Sequence, residues 1–218
     1  MLTEAARDQM IRQQVRAWDV LDERVLELLG RVPRERFVPD AYHELAFADT
    51  AIPLPHGEKM LAPNLVGRIL QSLQVGRDES ALEIGTGSGF LTACLAMQAG
   101  AVRSLEIHAD LAQAARMRIA ALGLGQVEVA AGDAFVPAVL GHASYDVIVL
   151  TGSLPLYDPR FERRLAIGGR LFVVVGELPV MGARLVRRTG ESEWMSESLF
   201  ETVLPPLHGA ARREPFTF

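Results

Sequence analysis

The sequence predicts a doubly wound α/β fold: a mostly parallel sheet with helices on both faces, a helical cap before it and an antiparallel strand region after it. Two patterns carry this expectation. Beyond residue 76, apolar runs of strand length alternate with helix-length periodic segments, as strand–helix–strand units require. Before residue 75 that alternation is missing, and apolar residues recur at helical spacing instead. The chain is therefore expected to divide into a cap and loop over residues 1–75 and a ligand-binding core over residues 76–218.

The elements follow in order. Residues 5–18 place Met10, Ile11, Gln14, Val15 and Trp18 on one side of an amphipathic helix. Asp22 is positioned to cap "ERVLELL", and Gly30 stands where that helix would end in a left-handed residue. "RVPRERFVPDAYHELAFADTAIPLPHGEKMLAP" (31–63) has five prolines and little periodicity, so it reads as an extended connection over the surface. Helical spacing returns from Asn64, with Leu65, Ile69, Leu70 and Leu73 on one side and Gly76 ending it.

"ALEIG" then forms a short buried strand and "FLTACLAMQ" opens a helix. A second strand, "VRSLEI" (102–107), precedes the helix "ADLAQAARMRIAAL" and Gly123. "VEVAAGD" (127–133) and "YDVIVLTG" (145–152) make a third and a fourth strand. A short helix near residues 159–165 leads to a fifth, "GGRLFVVVG". The tail, "ARLVRRTG" to "SLFETVLPPL", reads as further strands paired through a turn at Gly190.

With 218 residues, 49% hydrophobic and 22% charged, the chain can bury a sizeable core without metals or disulfides. The single Cys94 excludes an internal disulfide and suits a reducing compartment; inside "LTACLAM" it reads as core filling. "MLTEAARDQMIRQQVRAW" is charged throughout, and no run of about 18 apolar residues occurs. A cytoplasmic protein without a membrane span is expected. The net charge of -5 argues against a nucleic-acid partner. The histidines at 43, 56, 108, 142 and 208 form no i,i+4 pair and have no nearby cysteine, so no metal site is expected.

"LEIGTGSGF" (82–90) carries the chemistry. Its G-x-G-x-G spacing is not the dinucleotide G-x-G-x-x-G, and without a Gly-Lys-Ser/Thr ending it is not a phosphate-cradling loop. A nucleophile elbow at Ser88 would need glycines where Thr86 and Phe90 stand, so Ser88 reads as a helix cap. Glu83 precedes the turn, where a carboxylate repels a pyrophosphate and suits a cationic ligand with an amino group. Glu106 ends the second strand, where a carboxylate can accept both hydroxyls of a ribose. Asp133 ends the third strand, within reach of an adenine amino group. All three are expected at strand ends beside the switch point of the sheet.

In this order, "LEIGTGSGF", "LEI", "GDA", "YDVIVL" and "GGRLFV" resemble the S-adenosylmethionine site of a Rossmann-like class I methyltransferase. The resemblance assigns Glu83, Gly85, Thr86, Gly87, Ser88, Gly89, Glu106, Ile107, Asp133 and Ala134 to that cofactor. "VPRERFVP", "AFADTAIPLPHGEKMLAP" and "TGSLP" further resemble the protein-L-isoaspartate O-methyltransferase family, over about residues 8–176. That resemblance implies methyl transfer to the free carboxylate of isoaspartyl residues, hence protein repair, with residues 1–75 supplying the substrate loop. A carboxylate is already ionised at neutral pH and needs no general base, so the lack of a His/Asp or Cys/His constellation is no objection.

One departure stands out. The family's Gly-Gln-Thr-Ile-Ser-Gln/Ala-Pro reads here Gly57-Glu58-Lys59-Met60-Leu61-Ala62-Pro63, so both hydroxyls are gone. Lys59, Met60 and Leu61 occupy the substrate-loop positions. Either Lys59 supplies a cationic donor for a carboxylate of a protein, peptide or small molecule, or Met60 and Leu61 are packing residues of a pocket with another substrate. A cofactor-binding protein without turnover is the third reading. Base-modifying methyltransferases carry Asn/Asp-Pro-Pro-Tyr/Phe after strand four. Here that position reads Thr151-Gly152-Ser153-Leu154-Pro155, and "LPPL" (204–207) comes too late in the chain to serve.

Overall fold

The computed structural model describes residues 2–212; residue 1 and residues 213–218, the outer ends of the two expected segments, lie outside the described residues. Helix α1 (Leu2–Gln9) widens into a π-helical turn over Met10–Val15 and tightens into a 3-10 turn over Arg16–Trp18. The single helix expected over 5–18 is thus three segments of different pitch. A change of pitch rotates the apolar stripe: Met10 and Val15 are buried, but Trp18 is 54% exposed.

Helix α2 (Glu23–Arg31) begins as expected, with the Asp22 carboxylate accepting the Arg24 N–H at 2.9 Å. Gly30 does not end it. The helix runs through Gly30 and stops at Val32, which is extended because Pro33 follows.

Residues 31–63 are not a surface connection. They fold into 3-10 turns at Arg34–Phe37, Asp40–Leu45 and Pro55–Gly57 and a two-stranded ribbon of β1 (Ile52–Pro53) and β2 (Lys59–Met60). Phe37, Val38, Ala46, Ile52, Leu54 and Met60 are buried. The prolines prevent long helices, and the apolar residues between them act as separate anchors. Arg34 is fully buried at the centre. Its Nε donates to the Ala46 carbonyl and its Nη2 to the Leu61 carbonyl, both at 2.9 Å, and its guanidinium lies 4.9 Å from the Phe90 ring centroid. Burial pushes the guanidinium down to about 10.

Helix α3 (Pro63–Leu73) starts on Pro63 and ends at Gln74, whose φ of 47 is left-handed. Gln74, not Gly76, makes the stop, while the Gly76 N–H donates to the Glu79 carboxylate at 2.7 Å. The alternating region follows: β3 (Ser80–Ile84), α4 (Phe90–Ala96), β4 (Ala101–Glu106), α5 (Ala109–Ala120), β5 (Val127–Ala131), α6 (Pro137–Leu140), β6 (Tyr145–Leu154), α7 (Pro159–Glu162) and β7 (Leu165–Glu177). Then β8 (Val180–Arg188) and β9 (Trp194–Glu201) pair antiparallel, joined by a turn in which Thr189 and Gly190 donate to the Glu193 carbonyl.

One seven-stranded sheet results, ordered β5-β4-β3-β6-β7-β8-β9, with the first five strands parallel and the last two antiparallel. Side chains alternate between its faces. Ala81, Val147, Val149, Phe172 and Val174 join Met10, Phe37, Ile69 and Leu95 in one core that runs from the cap through α4 into the sheet. Leu82, Ile84, Ile148, Leu150 and Val173 join Phe161 and Leu140 in a second core under α6 and α7. From β3 the chain winds outward through β4 and β5 and then crosses to β6 on the other side. The carboxyl ends of β3 and β6 therefore flank the crevice where such sheets bind ligands.

Candidate functional site

A cavity of about 900 Å³ opens at that crevice. The turn after β3 forms its floor, and each glycine there has a distinct job. Gly85, at φ +94, donates its N–H to the Leu105 carbonyl at 2.8 Å, and a Cβ on it would lie 2.2 Å from Thr151 Oγ1. Thr151 Oγ1 in turn donates to the Gly85 carbonyl (2.7 Å) and the Ile84 carbonyl (3.0 Å), clamping β6 to the turn. Gly87, at φ +53, presents its N–H to Glu106 Oε2 at 2.7 Å. Gly89 does not line the cavity; its missing Cβ lets the turn approach Ala115 on α5, 3.0 Å away. The third glycine is a packing requirement. Thr86 and Ser88 line the cavity but are nearly buried: Thr86 Oγ1 shares a hydrogen bond with Ser104 Oγ, and Ser88 Oγ accepts the Phe90 N–H at 3.3 Å, at the start of α4.

The three acids differ sharply in setting. Glu83, the carboxylate beside the turn, is wholly buried, because the period-two alternation of β3 turns it toward Thr92 of α4. Ser104 and Thr92 donate to its Oε2, and its Oε1 has no partner among the described residues. Burial raises this carboxyl to about 8, against the opposing pull of the two hydroxyls. Glu106 is held by two backbone donors, Gly87 N–H on Oε2 and His108 N–H on Oε1 at 3.1 Å, and lines the cavity. Ile107 beside it is 41% exposed on the cavity wall. Asp133 accepts the Phe135 N–H at 2.8 Å and lines the cavity with the buried Ala134.

The substrate-loop positions form another wall of the same cavity. Lys59 is exposed, and its side chain has no hydrogen bond or ion pair among the described residues. Met60 is buried, and Leu61 is half-buried with its carbonyl held by Arg34. Of these three, only Lys59 carries a polar side-chain group.

The remaining wall was not legible from spacing. "LPPL" (204–207), though late in the chain, returns to the end of β6: Ser153 N–H donates to the Pro205 carbonyl at 2.8 Å and Leu207 N–H to the Ser153 carbonyl at 2.9 Å. Having no amide or acid, it supplies an apolar strap, with Leu207 packed so closely that a Cβ on Gly152 would meet it at 2.8 Å. Thr151, Phe135 and Leu207 all line the cavity, a placement that sequence reasoning missed. Thr151, the first polar residue after "VIVL", could have been found as a strand tip; the strap had no local signal.

The family model for protein-L-isoaspartate(D-aspartate) O-methyltransferase matches residues 5–211. The chain belongs to this family. It is 39% identical over 207 residues to protein-L-isoaspartate O-methyltransferase 1 of Rhodopseudomonas palustris, covering 94% of this chain and 84% of that one. With protein-L-isoaspartate O-methyltransferase 2 of Pelobacter propionicus it shares 37% over 211 residues, covering 95% and 92%. Among solved structures, a Plasmodium falciparum chain described as a protein-L-isoaspartate O-methyltransferase, in complex with S-adenosyl-L-homocysteine, superposes with a TM-score of 0.81 at 18% identity, over 92% of this chain and 97% of that one. At that identity the likeness establishes the shared fold. In this member of the protein-L-isoaspartate O-methyltransferase family, no helix among the described residues is long and apolar enough to cross a membrane.

Proposed function

We propose that this chain transfers a methyl group from S-adenosylmethionine to the free carboxylate of isoaspartyl residues in damaged proteins. The observation that carries the reading is the meeting, in one cavity, of the anchored Glu106 at the glycine turn and the Lys59–Met60–Leu61 wall.

The residues present fit the cofactor. Gly85 and Gly87, both at positive φ, present bare backbone to the cavity, Glu106 and Asp133 offer prepositioned acceptors for ribose hydroxyls and an adenine amino group, and Ile107 offers an apolar face. Buried Glu83 gives this end of the cavity a group whose ionised form a nearby cation favours. When bound, S-adenosylmethionine supplies a methyl group activated by its sulfonium charge. Everything else is positioning. Lys59 attracts and orients the substrate carboxylate, Met60 and Leu61 shield it from water, and the 204–207 strap closes the opposite side. A cytoplasmic location fits the single buried, reduced Cys94.

The test measures binding of S-adenosylhomocysteine by calorimetry and methyl transfer to an isoaspartyl peptide against its aspartyl isomer. Transfer to the isoaspartyl peptide alone is expected. Leu61→Ser is expected to raise that activity by restoring the family hydroxyl. A second reading rests on Lys59 and Leu61 themselves: a pocket without the family's two hydroxyls suits a different small carboxylate. Cofactor binding with an inert isoaspartyl peptide, in both wild type and Leu61→Ser, overturns the repair reading in favour of that one.

A further inference from the structure

Three of the five histidines, far apart in sequence, meet at the rim of the cavity. His208 Nε2 lies 2.8 Å from Glu58 Oε1, and His108 Nε2 lies 3.4 Å from the same oxygen. One ligand atom from each of Glu58, His108 and His208 can be chosen so that all lie within 4.8 Å of one another. The His108 and His208 rings meet edge to face at 5.5 Å. His56 stacks flat on His108, with centroids 4.1 Å apart and planes 6° apart, and its Nε2 is bound to the Asp110 carboxylate at 2.9 Å. The His108 backbone is itself pinned by Glu106.

We propose that Glu58, His108 and His208 form a binding site for a divalent transition-metal cation of the zinc class. Two imidazoles and one carboxylate are an established ligand set for a zinc ion with an open fourth position. Ligand bonds of about 2.0–2.2 Å in a tetrahedral arrangement place ligand atoms about 3.4 Å apart. The His108 separation from Glu58 Oε1 already matches that value and the His208 separation is shorter, so an ion enters once the His208 and Glu58 side chains move slightly apart. It takes the imidazole lone pairs in place of the hydrogen bonds to Glu58, leaving each ring proton on Nδ1. His56, fixed by Asp110, holds the His108 ring plane, as supporting contacts around metal ligands do.

The three ligands come from the substrate loop, the start of α5 and the C-terminal strap. A bound ion would tie these segments together across the cavity mouth and slow the exchange of whatever the cavity holds. The site is separate from the methyl-transfer reading, since it is measured without cofactor or substrate.

The test uses the full chain stripped of metal with a chelator. Titration with Zn2+ against a chromophoric competitor is expected to show one tight equivalent. His108→Ala and His208→Ala are each expected to weaken it by at least about tenfold, whereas His43→Ala and His142→Ala leave it unchanged. Co2+ is expected to give the intense visible absorption of a four- or five-coordinate site, lost in Glu58→Gln. The absence of a tight equivalent, equal binding by the His108→Ala/His208→Ala double variant, or only the weak absorption of octahedral Co2+ overturns the proposal. Denaturation midpoints of the metal-free variants confirm that any loss is not a loss of fold.

Discussion

Glu83 lies wholly inside the protein, with Ser104 and Thr92 donating to one carboxylate oxygen and no donor on the other among the described residues. Its carboxyl is raised to about 8 by burial, above the value of about 4.3 for an exposed glutamate. The folded state therefore holds this proton more tightly than the unfolded chain. Stability is fully present below the unfolded value and declines as pH rises through about 8, by at most about 1.4 kcal/mol per unit. Glu83→Gln is expected to flatten this decline in urea midpoints measured from pH 5 to 9; an equally steep fall in the variant contradicts the assignment. Glu106 is the complementary case, a carboxylate whose two backbone donors hold it at the cavity wall. Glu106→Ala is expected to weaken S-adenosylhomocysteine binding by at least about tenfold in calorimetry. Both acids were legible in the sequence from their places at the strand ends. What holds each one was not, since that depends on the face each side chain takes and on what packs against it.

Two segments hold the site in shape. Arg34 gathers the Ala46 and Leu61 carbonyls inside the cap, so Arg34→Met strands two buried acceptors at a cost of roughly 2–5 kcal/mol. The expected results are a lower urea midpoint and a raised KM for the methyl acceptor, because Leu61 loses its backbone anchor. In the glycine turn, Gly85→Ala drives a Cβ into Thr151 Oγ1 at a left-handed φ. Its expected outcome is loss of cofactor binding, and Thr151→Ala in the same chain restores part of it by removing the clash; no recovery would place the fault in the backbone strain alone. The strands and helices beyond residue 76 were readable because two-residue and helical periods dominate there. The cap has no such dominant period. Pro33 and Gln74 decided helix ends that Gly30 and Gly76 were expected to decide, and a proline-rich stretch without periodicity proved to be a buried frame around Arg34.

Across the whole molecule, the cap shares one continuous core with the sheet, and the chain returns after β9 to close the cavity with residues 204–207. A chain ending at Glu201 keeps every strand of the sheet but loses this strap. It is expected to stay folded and to release S-adenosylhomocysteine at least about tenfold faster, the equivalent of ~1.4 kcal/mol of lost contact, by stopped-flow. Unchanged release would mean that the strap does not cover the ligand. By itself the sequence determined the strand–helix alternation, the glycine turn and the acids at the strand ends, because each is a pattern between near neighbours. Only the tertiary structure decided that Glu83 is wholly buried between the Ser104 and Thr92 hydroxyls, that Gly89 serves packing, that "LPPL" reaches the tip of β6, and that Glu58, His108 and His208 meet. Those contacts join residues up to 150 positions apart, and they follow from how the layers pack rather than from any local period.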